Sequence, residues 1–191
     1  MFKEYGKKFT FKDYKEKVDG IPRIDGARAI LTDLSSKELT EATDKKQRYF
    51  LESLKKEKIP VFRAAINLIK ELRSKGIKTA VVSSSKNSPY ILKKTRINKL
   101  FDAEVSGSDI TKGKPHPQIF LMAAGKMRVK PKNCVVFEDA ILGVRAAKRA
   151  KMLCVGIDRH NDPKRLKEAD LVVSNLRGIN YGKLIGLFRR Y

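Results

Sequence analysis

AVVSSSKN (Ala80–Asn87), GKPHPQIF (Gly113–Phe120) and CVVFEDA (Cys134–Ala140) are the stretches on which the reading of this chain turns. The first and third share one plan. A short β-branched apolar run ends abruptly in polar residues, and a helical pattern follows. A continuous apolar run of this length fits a strand buried on both faces. Polar residues just past such strands occupy the carboxyl edge of a parallel sheet, where ligands bind in open α/β folds. Ser83, Glu138 and Asp139 all fall at that edge.

Outward from these segments, the pattern repeats. Strand-like runs are expected at 79–82, 103–105, 135–137, 153–157 and 171–173. Helices are expected between them at 88–96, 117–127, 142–150 and 164–169. Phe62, Ala65, Ile66, Ile69 and Leu72 recur at helical spacing, and Gly76 is placed to end that helix. Strands alternating with helices imply a parallel sheet covered on both faces. Residues 1–57 differ and contain no convincing strand. Ala27–Leu34 reads as a short helix. A second helix follows, with Ser35 and Glu38 spaced as a capping box and Leu39, Ala42, Tyr49, Phe50 and Leu54 as its buried stripe. The expected division is a small helical domain at 1–57 and an α/β core at 58–191.

Composition narrows the possibilities. The chain has 191 residues, with 43 Lys and Arg against 21 Asp and Glu, for a formal net charge of +22. Such a charge attracts polyanions and steers anionic substrates. The basic residues are spread through the whole sequence, without interleaved aromatics, so nucleic acid is disfavoured as a partner. A salt-sensitive polyanion binder stays as the least favoured alternative. No apolar run approaches the ~20 residues that span a membrane. The segment MFKEYGKKFTF lacks the apolar stretch of a signal peptide. A cytoplasmic monomer is the expectation. Cys134 and Cys154 lie in apolar runs and read as two buried core thiols.

Each candidate residue has a plain alternative. Ser83 and the amides after it can donate to phosphate oxygens, or residues 83–88 can simply cap the next helix. Lys114 can neutralise a phosphoryl group in transit, or be one more solvated lysine. Glu138 and Asp139 can ligate Mg²⁺, or Asp139 can be a helix N-cap.

Taken together and in order, the three stretches resemble the second, third and fourth motifs of the haloacid-dehalogenase (HAD) superfamily of phosphoryl-transfer enzymes. The likeness runs along essentially the whole chain and is nearest to the β-phosphoglucomutase-like branch. SSSKN matches that branch's motif. DGIPRIDGARAIL (residues 19–31) resembles its cap-domain substrate loop, and VGIDRHNDPKRLKEADLVVSNL (residues 155–176) resembles the end of related sugar-phosphate phosphatases. The resemblance implies a HAD-like (Rossmannoid) α/β core with a small helical cap. It implies that Ser83 and the Ser84 backbone hold the transferring phosphoryl group and that Lys114 stabilises it. Glu138 and Asp139 would hold Mg²⁺. Ser85, Lys86 and Asn87 would line the pocket of a small phosphorylated sugar, and Arg23 would clasp a distal phosphate. Arg23 could equally be a surface arginine paired with Asp25 or Asp19.

The family's first motif, an Asp-x-Asp after the central strand, occurs nowhere in the sequence. Its first Asp is the nucleophile and its second the general acid and base. Asp33 is the nearest imitation, but it falls within a helical pattern and has no second Asp two residues on. The expectation is therefore an N-terminally truncated phosphatase or phosphomutase, inactive alone. The alternative is a non-catalytic sugar-phosphate sensor or partner module. Without the central strand, the two inner strands must pair directly or accept another segment. Unpaired buried backbone would otherwise cost a large part of a typical ~5–15 kcal/mol stability.

Overall fold

The computed structural model describes residues 2–18, 21 and 23–190, without the Lys15 side chain. The chain divides into two compact units, Met1–Ile59 and Pro60–Tyr191.

The first unit is helical. Its helices are α1 (Phe11–Lys17), α2 (Arg23–Arg28) and α3 (Ser36–Lys56). Thr10 with Asp13 and Ser35 with Glu38 form capping boxes that satisfy the first amides of α1 and α3. Ala27, Leu31, Leu39 and Ala42 make the core, with Phe2, Tyr5 and Leu34 against it. Two expectations need correction. The helix expected at 27–34 lies earlier, at Arg23–Arg28, and the chain leaves it through a turn in which the Ala27 carbonyl accepts from the amides of Ile30 (3.1 Å) and Leu31 (2.8 Å). Tyr49 and Phe50 are 44% and 41% exposed, not buried. The 21-residue α3 is three times the length of α1, so its own bundle covers it only in part.

The second unit carries every described strand. They are β1 (Ala80–Val82), β2 (Ala103–Val105), β3 (Val135–Glu138), β4 (Leu153–Ile157) and β5 (Leu171–Val173). Its helices are α4 (Arg63–Ser74), α5 (Ser88–Lys94), α6 (Gln118–Met127), α7 (Ile141–Arg149) and α8 (Tyr181–Phe188). The segment expected as a helix at 164–169 is a single 3₁₀ turn, Pro163–Leu166. All strand pairings are parallel, β1 with β2 and β3 with β4 with β5. Side chains alternate between two apolar layers, as the period of two requires. Val136 and Cys154 face a cluster that includes Ile119, Ala123, Val144 and Ala147 of α6 and α7. Val135, Phe137 and Val155 face Leu68, Leu72 and Leu184 of α4 and α8.

The sheet is split. β1 bonds only to β2 and β3 only to β4, so two sheets of two and three strands stand side by side. Among the described residues, the inner strands neither pair nor accept a further segment. A cavity of about 730 Å³ lies between them, lined by Ala80, Val82, residues 133–138 and the helices on both faces. Native interiors seldom leave voids much larger than a water molecule. The burial pattern records the split. β4, with a neighbour on each side, is almost wholly buried, whereas all of β1 and half of β3 are only partly buried. The same exposure corrects two more expectations. Cys134 lines the cavity and is only half-buried. On α4 the fully buried residues are Leu68 and Leu72; Ala65 and Ile69 face the cavity, and Phe62 is 65% exposed at the N-cap.

Burial pushes the Cys154 thiol up to about 12, helped by the negative charges of Glu138 and Asp170. An unfolded thiol ionises near pH 8.5. Its folded-state protonation thus stabilises the protein fully below that pH, and the contribution fades as pH rises toward 12. Cys154 is expected to resist a thiol reagent at pH 8 until urea unfolds the chain. The fall in urea midpoint between pH 7.5 and 10.5 should be smaller in Cys154→Ala. Equal labelling of both thiols in the native protein would contradict this.

Candidate active site

The carboxyl ends of β1 and β3 gather most of the polar residues singled out above. After β1 the chain continues one residue of strand pairing, with Ser83 N–H donating to the Val105 carbonyl (2.9 Å). It then turns tightly. The Ser83 hydroxyl accepts from Ser85 N–H (3.1 Å), and the Ser85 hydroxyl accepts from Asn87 N–H (3.1 Å). Ser84, Ser85 and Lys86 are exposed. The turn leads into α5, whose N-cap Asn87 makes no side-chain cap bond. The serines therefore shape the turn and do not cap the helix.

A second loop braces this turn. Gly107 N–H donates to the Ser85 carbonyl (3.3 Å), and a Cβ on Gly107 would overlap the Ser84 carbonyl. Glycine at 107 is what lets the loops after β1 and β2 touch. Asp109 fixes the second loop by accepting from the Ser106 amide and hydroxyl (2.8 Å each). Those bonds hold its carboxyl down at about 2.

Lys114 and Glu138 meet in a buried ion pair, with side chains only 10% and 9% exposed. Glu138 ends β3, and its carboxylate also accepts from Ala140 N–H (3.4 Å). The Lys114 ammonium stands over the Phe120 ring (5.2 Å to the centroid). Arg149 donates to the Pro115 carbonyl (3.2 Å), and Gln118 accepts from the amides of Thr111 (3.1 Å) and Lys112 (2.7 Å). The lysine loop is thus tied to α6 and α7. Asp139 is more exposed and pairs with Arg159 (2.6 Å), whose guanidinium lies over the Phe62 ring (5.0 Å). Lys114 is no solvated lysine, and Asp139 is no N-cap, since Ala140 holds that position on α7.

Arg23 lies in the first unit, on α2. It pairs with Asp44 (3.4 Å) and donates to Gln47 (3.4 Å), not with Asp25 as one reading expected. Asp19 lies outside the described residues. Asp33, also in the first unit, is tied to Lys7 and Thr32, which hold its carboxyl below the usual range. It has the surroundings of a surface ion pair.

Three residues escaped the sequence reading. Arg159 follows β4 at the same edge, so the rule that flagged Ser83 and Glu138 could have found it. Gly143 opens α7 beside Glu138, where any Cβ would overlap the carboxylate. Gly107 has no signal without a neighbour in space.

Glu138 and Asp139 are donors of the type Mg²⁺ accepts, since that ion takes one or two carboxylates and completes its shell with water and phosphate. Among the described residues no group of three or more His, Cys, Asp or Glu gathers. The residues present fit Mg²⁺ shared with a phosphate ligand and no all-protein cage.

The chain is similar to known proteins along most of its length. A family model described as haloacid dehalogenase-like hydrolase matches residues 4–151. The chain is 32% identical over 171 residues to β-phosphoglucomutase of Bacillus subtilis, covering 85% of this chain and 74% of the relative. It is 35% identical over 182 residues to a phosphorylated carbohydrates phosphatase of Thermotoga maritima, covering 88% and 79%. A crystal structure of β-phosphoglucomutase from Clostridium difficile superposes with a TM-score of 0.88 at 27% identity, over 99% of this chain and 86% of that one.

The buried pair gives a direct stability test. Lys114→Met leaves Glu138 buried and unpaired, a change expected to cost about 3–5 kcal/mol in urea unfolding. Lys114→Met with Glu138→Gln should recover most of that loss. Gly143→Ala should destabilise as well, by displacing the carboxylate. A Lys114→Met protein as stable as wild type would show that the pair is not buried.

Proposed function

The chain belongs to the haloacid dehalogenase-like hydrolase family, and from that premise we propose that its second unit carries the phosphate-holding part of a site for small phosphorylated sugars. The single observation that carries this reading is the buried Lys114–Glu138 pair at the carboxyl edge of the split sheet. A charge pair kept out of water without a ligand is weak evidence for stability, since apolar residues of like volume often do as well. Beside a phosphate it has a use.

In this reading the Ser83 hydroxyl and the amides of Ser84 and Ser85 bind the phosphate oxygens. The Lys114 ammonium faces the charge on the phosphoryl group, and Glu138 holds that ammonium in place. Ser85, Lys86 and Asn87 line the side on which a sugar and any second phosphate rest. Glu138 and Asp139 are the residues that would hold Mg²⁺. That ion, when bound, neutralises phosphate oxygens. Arg159 orients Asp139 through the 2.6 Å contact. We assign the first unit the role of a cap. The relatives named above point to phosphorylated carbohydrates, one as mutase and one as phosphatase.

The sequence holds no Asp-x-Asp, so no carboxylate pair in these residues is set to attack phosphorus and then exchange protons with the sugar oxygen. The 191-residue protein therefore binds phosphate without turning it over. This is also what favours the second reading, a sensor that uses the pocket for recognition alone.

Calorimetry with a hexose monophosphate and Mg²⁺, alongside turnover of a generic phosphate ester, tests the reading. Saturable binding is expected, weakened about tenfold by Ser83→Ala through loss of one hydrogen bond to a charged group, with turnover at background. Binding indifferent to Ser83→Ala, or robust turnover abolished by Asp33→Asn, would overturn it.

A further inference from the structure

The second unit carries most of the excess positive charge. The first unit has 15 Lys and Arg against 11 Asp and Glu, whereas the second has 28 against 10. The fold gathers part of that excess at one edge. Within each sheet the strands run parallel, so the turns that enter them lie together at the amino edge, opposite the phosphate residues. The turn into β1 brings Lys75 and Lys78, the turn into β3 brings Arg128, Lys130 and Lys132, and the turn into β4 brings Lys151. Lys78 donates to the Met127 carbonyl at the end of α6 (2.9 Å), which joins the first turn to the second. The pairing of Val135 with Leu153 sets Lys151 beside the second turn.

All six of these residues are exposed, and the acids at this edge are engaged elsewhere. Asp102 holds Arg73 (2.9 Å) and the Thr79 amide (2.7 Å), and Asp170 holds Lys148 (2.6 Å) and the Cys154 amide (2.8 Å). The backbone supplies a second observation. Arg128 (φ 55°) and Lys151 (φ 56°) take the left-handed conformation that glycine adopts without strain, and Gly76 (φ 72°) fills the matching position after α4. Two long cations are thus kept where glycine fits best. A cation favoured only by the negative end of its helix would serve as well one residue earlier, in relaxed backbone.

We propose that the amino edge of the second unit docks the phosphate backbone of a nucleic-acid duplex, meeting its charge and not its bases. Spread along the sequence, these residues give no sign of such a partner; the fold is what collects them. The chemistry of the edge selects among polyanions. Single strands are held by aromatic side chains on which bases stack, and membranes by apolar side chains that enter the lipid boundary. Among the described residues, Ile77 is the one large apolar residue exposed in these turns. A duplex presents its phosphates outermost and asks of its partner mainly cations. The surface lies at the opposite ends of the strands from Ser83 and Glu138, so the proposal stands or falls apart from the phosphate-site reading.

The test is fluorescence anisotropy of the 191-residue protein with a labelled, mixed-sequence DNA duplex two helical turns long. Six phosphate contacts predict that affinity falls about 10³-fold between about 50 and 200 mM salt. Lys130→Gln, Lys132→Gln and Lys151→Gln together should weaken binding at least about tenfold and flatten the log–log salt slope by about 3. Arg at the same three positions should bind as the wild type does. Lys37→Gln, Lys56→Gln and Lys58→Gln remove the same charge from the first unit and should change affinity by about threefold at most. Saturating hexose monophosphate at constant ionic strength should not compete. Equal weakening by the two triple Gln variants would mean attraction by net charge alone and would overturn the proposal. So would tighter binding of the single strand, or of phosphatidylserine vesicles, at the same salt.

Discussion

An inner strand of a parallel sheet must be hydrogen-bonded along both edges, because helices cover its faces and keep water from its backbone. The position between β1 and β3 is where this fold leaves that requirement open. Much of the second unit follows from it. β4 is buried throughout because it has neighbours on both sides. β1 and β3 are not, because each has one. The helices on both sides already present apolar residues to the opening. They are arranged around a strand-sized space and have not collapsed into it.

The same geometry explains where the polar chemistry sits. Parallel strands end together, so the loops that leave them share one edge. The Ser83–Asn87 turn, the Lys114 loop and the Glu138–Asp139 pair come from different parts of the sequence. Each is held by its own local bonds: Ser83 to Ser85, Gln118 to Thr111 and Lys112, and Glu138 to Ala140. The Lys114–Glu138 contact spans two of them. It links the lysine loop to the strand that borders the opening, joining the charge of the site to the framework of the sheet.

Much of this was legible in the residues. Apolar runs ending in polar residues located β1, β3, β4 and β5, and the short strand-like run at 103–105 located β2 despite Glu104 in its middle. The capping box at Ser35 and Glu38 located α3. What the sequence withheld was three-dimensional accounting. Tyr49 and Phe50 fit a helical stripe, yet no partner of matching length covers them in their bundle. Cys134 looked like core but borders the opening. Arg23 found Asp44, 21 positions away, where local reading offered only near neighbours. Gly143 and Gly107 matter through the space they leave, which no spacing rule reports.

The central claim is that a phosphate cradle persists at the carboxyl edge of the sheet even though no Asp-x-Asp accompanies it. A ¹H–¹⁵N map of the 191-residue protein titrated with inorganic phosphate tests this most directly, because the +22 charge offers many competing sites for an anion. The account expects saturable shifts concentrated at Ser83–Asn87 and around Lys114, persisting at moderate salt. Shifts scattered over surface lysines and erased by salt would contradict it.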